Sequence, residues 1–209
     1  MSTGILALWN NRESARAEEY EDWYKTEHFP ERLGIPGILR GRRYESDGAS
    51  PQFFTYYETE TPETLTSPAY LERLENPTDW TRRIMNDVMR DMSRTVCQVV
   101  RCEGGLRGSI AIAVKLNVPE GAEDALNDPD IQALTVRREF WVSAEAGKEQ
   151  TAEEKLRGGD EKIAACIMVE TLRQGNADAA LSRLKALLGS NVQSADTYRF
   201  LCELESGAA

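Results

Sequence analysis

His28 is the only histidine among 209 residues, and imidazole is the side chain whose ordinary pKa lies near neutrality. Proton transfer at pH 7 is therefore expected here first. Tyr20 and Tyr24 precede it in steps of four, which places two phenols and the imidazole on one helix face. The adjacent Glu27 is positioned to raise the imidazole pKa. Beyond a proline-punctuated turn, Arg40, Arg42 and Tyr44 share one face of a strand, with Arg43 on the other. Guanidinium forks suit planar anions, so that face is expected to hold a carboxylate or enolate. The residues singled out for catalysis are His28, Tyr24, Arg42 and Tyr44. Those for substrate binding are Tyr20, Arg40, Trp80 and Arg83. Blander roles stand beside these. A helix-terminal histidine can satisfy carbonyls and the helix dipole, arginines can pair with surface carboxylates, and Trp80 can be core while Arg82 and Arg83 make exposed helical pairs.

The elements that must position these groups are legible in order. Residues 4–10 form an apolar strand rather than a signal peptide, and Ser14 is a plausible cap for the aromatic helix. Pro30 disrupts that helix just past His28, and Gly34 with Pro36-Gly37 makes the turn into the strand 38–46. Phe53 to Glu60 is an aromatic, β-branched strand. Ser67-Pro68 opens a helix, which is interrupted at Asn76-Pro77-Thr78 and restarts, and Thr95 to Cys102 is a further strand. The order is β-α-β-β-α-β, a ferredoxin-like unit.

After Gly104-Gly105 the pattern recurs. Ile110, Ile112, Val114, Leu116 and Val118 alternate strictly. A short helical piece at 121–133 is broken by Pro129. Strands follow at 134–143, 163–172 and 197–205, with a helix at 177–188. Two units are expected, 1–104 carrying the candidate site and 105–209 as a diverged structural partner without a histidine. The fold class is α+β, two tandem ferredoxin-like units. The polar stretch 145–161 is far longer than a hairpin needs, so it is either a mobile lid or disorder, with composition favouring disorder.

Composition narrows the partners. A net charge of −10, shared evenly between the halves, disfavours nucleic acid. No apolar run is long enough to span a membrane. Cys97, Cys102, Cys166 and Cys202 have neither zinc nor redox spacing, so free thiols in a reducing cytoplasm are expected. One histidine and no acidic calcium-loop spacing leave no metal site, and no phosphate loop or Ser-His-Asp arrangement is present.

The stretch Glu27-His28-Phe29-Pro30, Ile35-Pro36-Gly37 and Arg42-Arg43-Tyr44 resembles the signature of EthD-like proteins of the dimeric α+β barrel superfamily. Asn76 to Arg83 and Arg94-Thr95-Val96 resemble stretches of its bacterial members. The signature covers about a quarter of the chain, and the repeated strand order extends the fold argument over most of the rest. The resemblance implies two sheets packed into a barrel, with ligands between the sheet and the helices of one unit. The imidazole is expected to face an enclosed apolar chamber made by the two sheets. Relatives include cofactor-free monooxygenases, isomerases, polyketide cyclases and haem proteins. In the haem proteins the proximal histidine lies in the second unit, where this chain has none.

The function expected is a small-molecule enzyme without metal or organic cofactor. It would move a proton on a hydrophobic aromatic or polyketide-like compound, as an isomerase, dehydratase or cyclase. A non-catalytic ligand-binding or assembly protein is the alternative, and a cofactor-free monooxygenase a further one. A homodimer, or a pseudo-dimer within one chain, is expected from the sheet edges.

Overall fold

The computed structural model describes residues 3–144 and 159–207. The first half runs β1 (Gly4–Arg12), α1 (Ala17–Trp23), a π-helical turn (Tyr24–His28), α2 (Phe29–Leu33), β2 (Ile38–Glu45), β3 (Phe53–Thr59), α3 (Pro68–Glu75), α4 (Asp79–Asp87) and β4 (Met89–Glu103). The second runs β5 (Ile110–Leu116), α5 (Ala122–Asn127), α6 (Pro129–Leu134), β6 (Arg137–Ser143), β7 (Ala165–Thr171), α7 (Gln174–Leu188) and β8 (Val192–Glu205). Ser67 and Thr78 cap α3 and α4 through their side chains, accepting from Tyr70 N and Thr81 N. Ser14 does not cap; it opens a short 3-10 turn before α1.

The eight strands close into a barrel in the order β1-β3-β2-β8-β5-β7-β6-β4. Each half contributes four neighbouring strands, and the halves are joined by β2 with β8 and by β4 with β6, all antiparallel. In both joins the second strand of one half meets the fourth strand of the other. This is the arrangement of a dimeric α+β barrel, here closed within one polypeptide. Two sheets that would each leave exposed edges thus cover one another.

Strand alternation divides the apolar side chains into three cores. Ile5, Ala7 and Trp9 of β1, Tyr44 of β2, Phe54 and Tyr56 of β3, Trp141 of β6 and Tyr198 of β8 point into the barrel. They fill it: Trp9 stacks on Phe54 at 4.9 Å and Tyr56 tilts against Trp141 at 5.3 Å. The space between the sheets is therefore packed aromatic core, and the expected ligand chamber does not lie there. Outward-facing residues of β1, β3 and β4 pack under α1–α4. The corresponding second-half layer, under α5–α7, is almost wholly Ala, Leu, Ile and Val. Of the polar stretch 145–161, residues 145–158 lie outside the described residues. Glu161 bridges to Ser93 of β4. Among the described residues no helix is long and apolar enough to cross a membrane.

Candidate active site

The local structure around His28 follows from Pro30. A proline has no N–H to donate, and its ring crowds the carbonyl four residues back. The ladder widens immediately before it, and Phe29 N–H donates to Tyr24 O, five residues back. A five-residue spacing turns His28 over Trp23. The two rings stack with centroids 4.2 Å apart and an interplanar angle of 26°. Tyr24 meets the imidazole edge-on at 5.3 Å, and Tyr20 meets Tyr24 edge-on at 5.6 Å. The three expected rings do form one aromatic wall, with Trp23 as the stacked partner that four-residue steps do not reveal.

This wall is tied to its surroundings. Trp23 Nε1 donates to Thr81 Oγ1 at 3.0 Å. The hydroxyls of Thr81 and Thr78 both donate to Glu27 Oε1, at 2.8 and 2.6 Å. Glu27 thus anchors the N-terminus of α4, where a carboxylate is favoured by the helix dipole. Tyr24 donates from its hydroxyl to Thr55 Oγ1 at 3.3 Å. Arg43 lies over Tyr24, Tyr20 and Phe53, with its carbon 4.2, 5.2 and 4.6 Å from the ring centres. Glu21 holds it bidentately at 2.5 and 2.8 Å. Burial pushes the phenols of Tyr24 and Tyr57 above their ordinary range, with Arg43 opposing the shift at Tyr24. Both are neutral hydrogen-bond donors at pH 7.

His28, Tyr24, Tyr57 and Tyr70 border a cavity of about 20 Å³, closed on other sides by Leu6 and Leu8 of β1 and by Met85, Met89 and Met92. That volume accommodates about one water. Arg32 and Arg94 also line it. Arg94 Nη2 donates to the Tyr70 hydroxyl at 3.0 Å, and the Arg32 guanidinium lies 6.0 Å from the Tyr70 ring centre. Neither arginine was singled out from sequence. Arg32 follows His28 by one helical step of four, which was a usable signal. Arg94 was missed because β4 starts at Met89, six residues before the expected Thr95.

Five of the expected site residues do not join His28. Arg42 and Tyr44 point into the barrel, so the sheet itself separates them from the imidazole. Arg42 Nε donates to Tyr44 Oη at 2.8 Å, and Tyr44 donates to the buried carboxylate of Glu170 at 2.7 Å. Arg42 also pairs with Glu203 at 2.7 Å. Arg107 binds Tyr56, Glu139 and Glu58 in the same layer. The result is a polar network joining strands of both sheets. It is Arg43, with the opposite strand parity, that faces the helix layer. Arg40 reaches the surface and pairs with Glu205 at 2.7 Å. Arg83 is half-exposed and pairs with Glu19 at 3.0 Å. Trp80 packs on the edge of the helix-layer core and does not line the cavity. Tyr20 sits behind Tyr24, its hydroxyl accepting from Asn10 Nδ2 at 2.9 Å.

Haem is the cofactor that the fold implies, and these residues do not fit it. The second-half layer holds no imidazole, and His28 faces a cavity far below the roughly 300 to 1,000 Å³ of cofactor pockets. Among the described residues no three metal-ligating side chains cluster.

No family model matches the chain, and no curated protein matches it. Solved structures do. An anthrone oxidase-like protein is 10% identical, with 99% of this chain and 94% of that one covered at a TM-score of 0.64. A proposed monooxygenase of Fusobacterium nucleatum is 8% identical, covering 99% and 95%, at 0.56. A proposed chlorite dismutase is 11% identical, covering 97% and 96%, also at 0.56. These neighbours belong to the dimeric α+β barrel superfamily, and at such identities the likeness establishes the fold this chain shares with them.

Proposed function

We propose that the first-half cavity is the active site of an EthD-like small-molecule enzyme, and that His28 moves a proton on a planar aromatic substrate. The observation that carries this reading is a buried imidazole, 8% exposed, stacked on Trp23 and bordering a void walled by phenols and thioethers. An imidazole there can take a proton from a carbon beside a carbonyl, and the electron pair moves onto the carbonyl oxygen as an enolate. Neutral phenols such as Tyr24 and Tyr57 suit donation to that oxygen. Return of the proton elsewhere gives isomerisation, and loss of hydroxide gives elimination. The cavity must enlarge to admit a ring. Met85, Met89 and Met92 are the residues to yield, since unbranched thioethers repack readily.

A second reading is favoured by the neighbouring structures named for anthrone oxidation and monooxygenation. The same enolate can pass its electrons to dioxygen. The net change converts a ring CH2 and O2 to a ring C=O and water.

Both readings are tested by assaying the wild type and His28→Ala with anthrone and its hydroxylated analogues, following absorbance and oxygen uptake. His28→Ala is expected to lose turnover by roughly 10²- to 10⁴-fold while keeping its near-UV circular dichroism. Unchanged turnover in the folded variant removes His28 from catalysis. Binding without any wild-type turnover favours a non-catalytic ligand carrier.

A further inference from the structure

We infer that Met92 is the gate of this cavity: ligands enter from the open mouth of the barrel, past its side chain, which sets how many fused rings are admitted. The inference rests on the cavity being the ligand site, as proposed above. The space beside His28 is about 20 Å³. An open pocket of about 360 Å³ lies at the barrel mouth, between Pro51 of the β2–β3 connection, Lys115 of β5, Glu161 and Gln193 of β8. Met92 is the residue that lines both. It is 8% exposed, so one side chain stands between the closed space and the open one. The backbone puts it there. β1 and β4 pair as far as Trp9 with Ser93 and resume at Asn11 with Arg90, which leaves Asp91 and Met92 as a bulge opposite Asn10. Bulges re-aim side chains and gather beside functional sites. Asp91 takes a left-handed backbone, φ 51°, and its carboxylate accepts from Asn11 Nδ2 at 2.8 Å. The Met92 carbonyl accepts from Glu161 N–H at 2.9 Å. The bulge is thus held at its backbone, while the thioether, unbranched and with three rotatable bonds, can swing. Met85 and Met89 line the inner space alone, so they can yield volume but open no path.

The test follows entry of nitrobenzene and 1-nitronaphthalene into the whole protein by stopped-flow quenching of tryptophan fluorescence. Proton resonances of the single imidazole report whether each probe occupies this cavity. Met92→Ala is expected to raise the association rate constant of the two-ring probe roughly tenfold, and that of the one-ring probe by less, because a required side-chain movement slows binding. Met85→Ala removes the same atoms from the inner wall and should leave that rate within about twofold of wild type. Gln193→Trp, at an exposed position of the mouth, is expected to slow entry with the equilibrium affinity unchanged. Equal acceleration by both alanine variants, or none by Met92→Ala, overturns the gate while sparing the cavity as a ligand site. No perturbation of the imidazole by either probe overturns both. If Met92→Ala fails to fold, Gln193→Trp decides the matter, and unslowed entry there overturns the route.

Discussion

Trp23 and His28 stack at 4.2 Å although they lie five positions apart, because a π-helical turn replaces the α-helical spacing between them. Their alignment depends on Thr81, whose hydroxyl accepts from the Trp23 indole and donates to Glu27. The chain of contacts runs from α4 through the indole to the imidazole.

Thr81→Val keeps the shape and removes the hydroxyl. The indole N–H, buried with Trp23 at 0% exposure, then has no partner. A destabilisation of about 1–3 kcal/mol is expected by urea unfolding. Turnover of the folded variant should fall as well, through kcat more than KM, since Thr81 does not line the cavity. A variant with full stability and full kcat would show that the indole needs no anchor.

Arg42 separates the barrel from the cavity experimentally. Arg42→Met leaves Glu170 and Glu203 without a cation they contact. Breaking a buried pair on one side typically costs about 3–5 kcal/mol, so a stability loss of that order is expected in urea. Affinity for aromatic ligands at the imidazole should be unchanged, because the sheet lies between. Lost affinity in the folded variant would instead return Arg42 to the ligand site, as the sequence alone had placed it.

That misplacement marks the limit of what the chain reveals unaided. The strict alternation from Ile110 to Leu116 announced β5 and its two faces, and Pro36-Gly37 announced the turn into β2. The repeated order of elements announced two ferredoxin-like units, and the family resemblance implied that they close into a barrel. His28 and Tyr24 meet edge-on, on the shared helix face that four-residue spacing implied. Parity along β2 correctly put Arg42 with Tyr44 and Arg43 opposite them. Parity does not say which face is inward, and here Arg43 takes the helix side. The Trp23–His28 stack was hidden because a π turn has no signature in a 3.6-residue period.

Acid stability offers a further check. Glu161 Oε2 accepts from Lys115 Nζ at 2.9 Å at the barrel mouth, and the Lys115 ammonium sits 4.8 Å from the Trp9 ring centre. The hydrogen bond to Lys115 holds the Glu161 carboxyl below its ordinary value. A depressed carboxyl pKa adds stability that is fully present above the unfolded-state value, about 4.3, and is lost as pH falls through the lower folded value. Glu161→Gln should therefore flatten the fall of stability as pH drops below the unfolded-state value, measured by urea unfolding at each pH. An unchanged slope would mean that the pair adds nothing to acid stability.

Gly41 tests how tightly the cavity floor is built. A Cβ there would stand 2.9 Å from the Phe29 ring and 2.9 Å from Tyr57 Cε1, closer than packed carbons approach. Tyr57 borders the cavity and Phe29 packs edge-on against it at 5.6 Å. Neither ring has a flexible end with which to yield, so Gly41→Ala must push Tyr57 toward the void. A cost of about 1–3 kcal/mol is expected from overpacking, with weaker binding of aromatic ligands. Gly48→Ala is the matched control, since nothing lies within 4 Å of its Cβ, and its effect should stay within about 0.5 kcal/mol. If Gly41→Ala binds ligand as tightly as wild type, Tyr57 is not part of the wall the ligand meets.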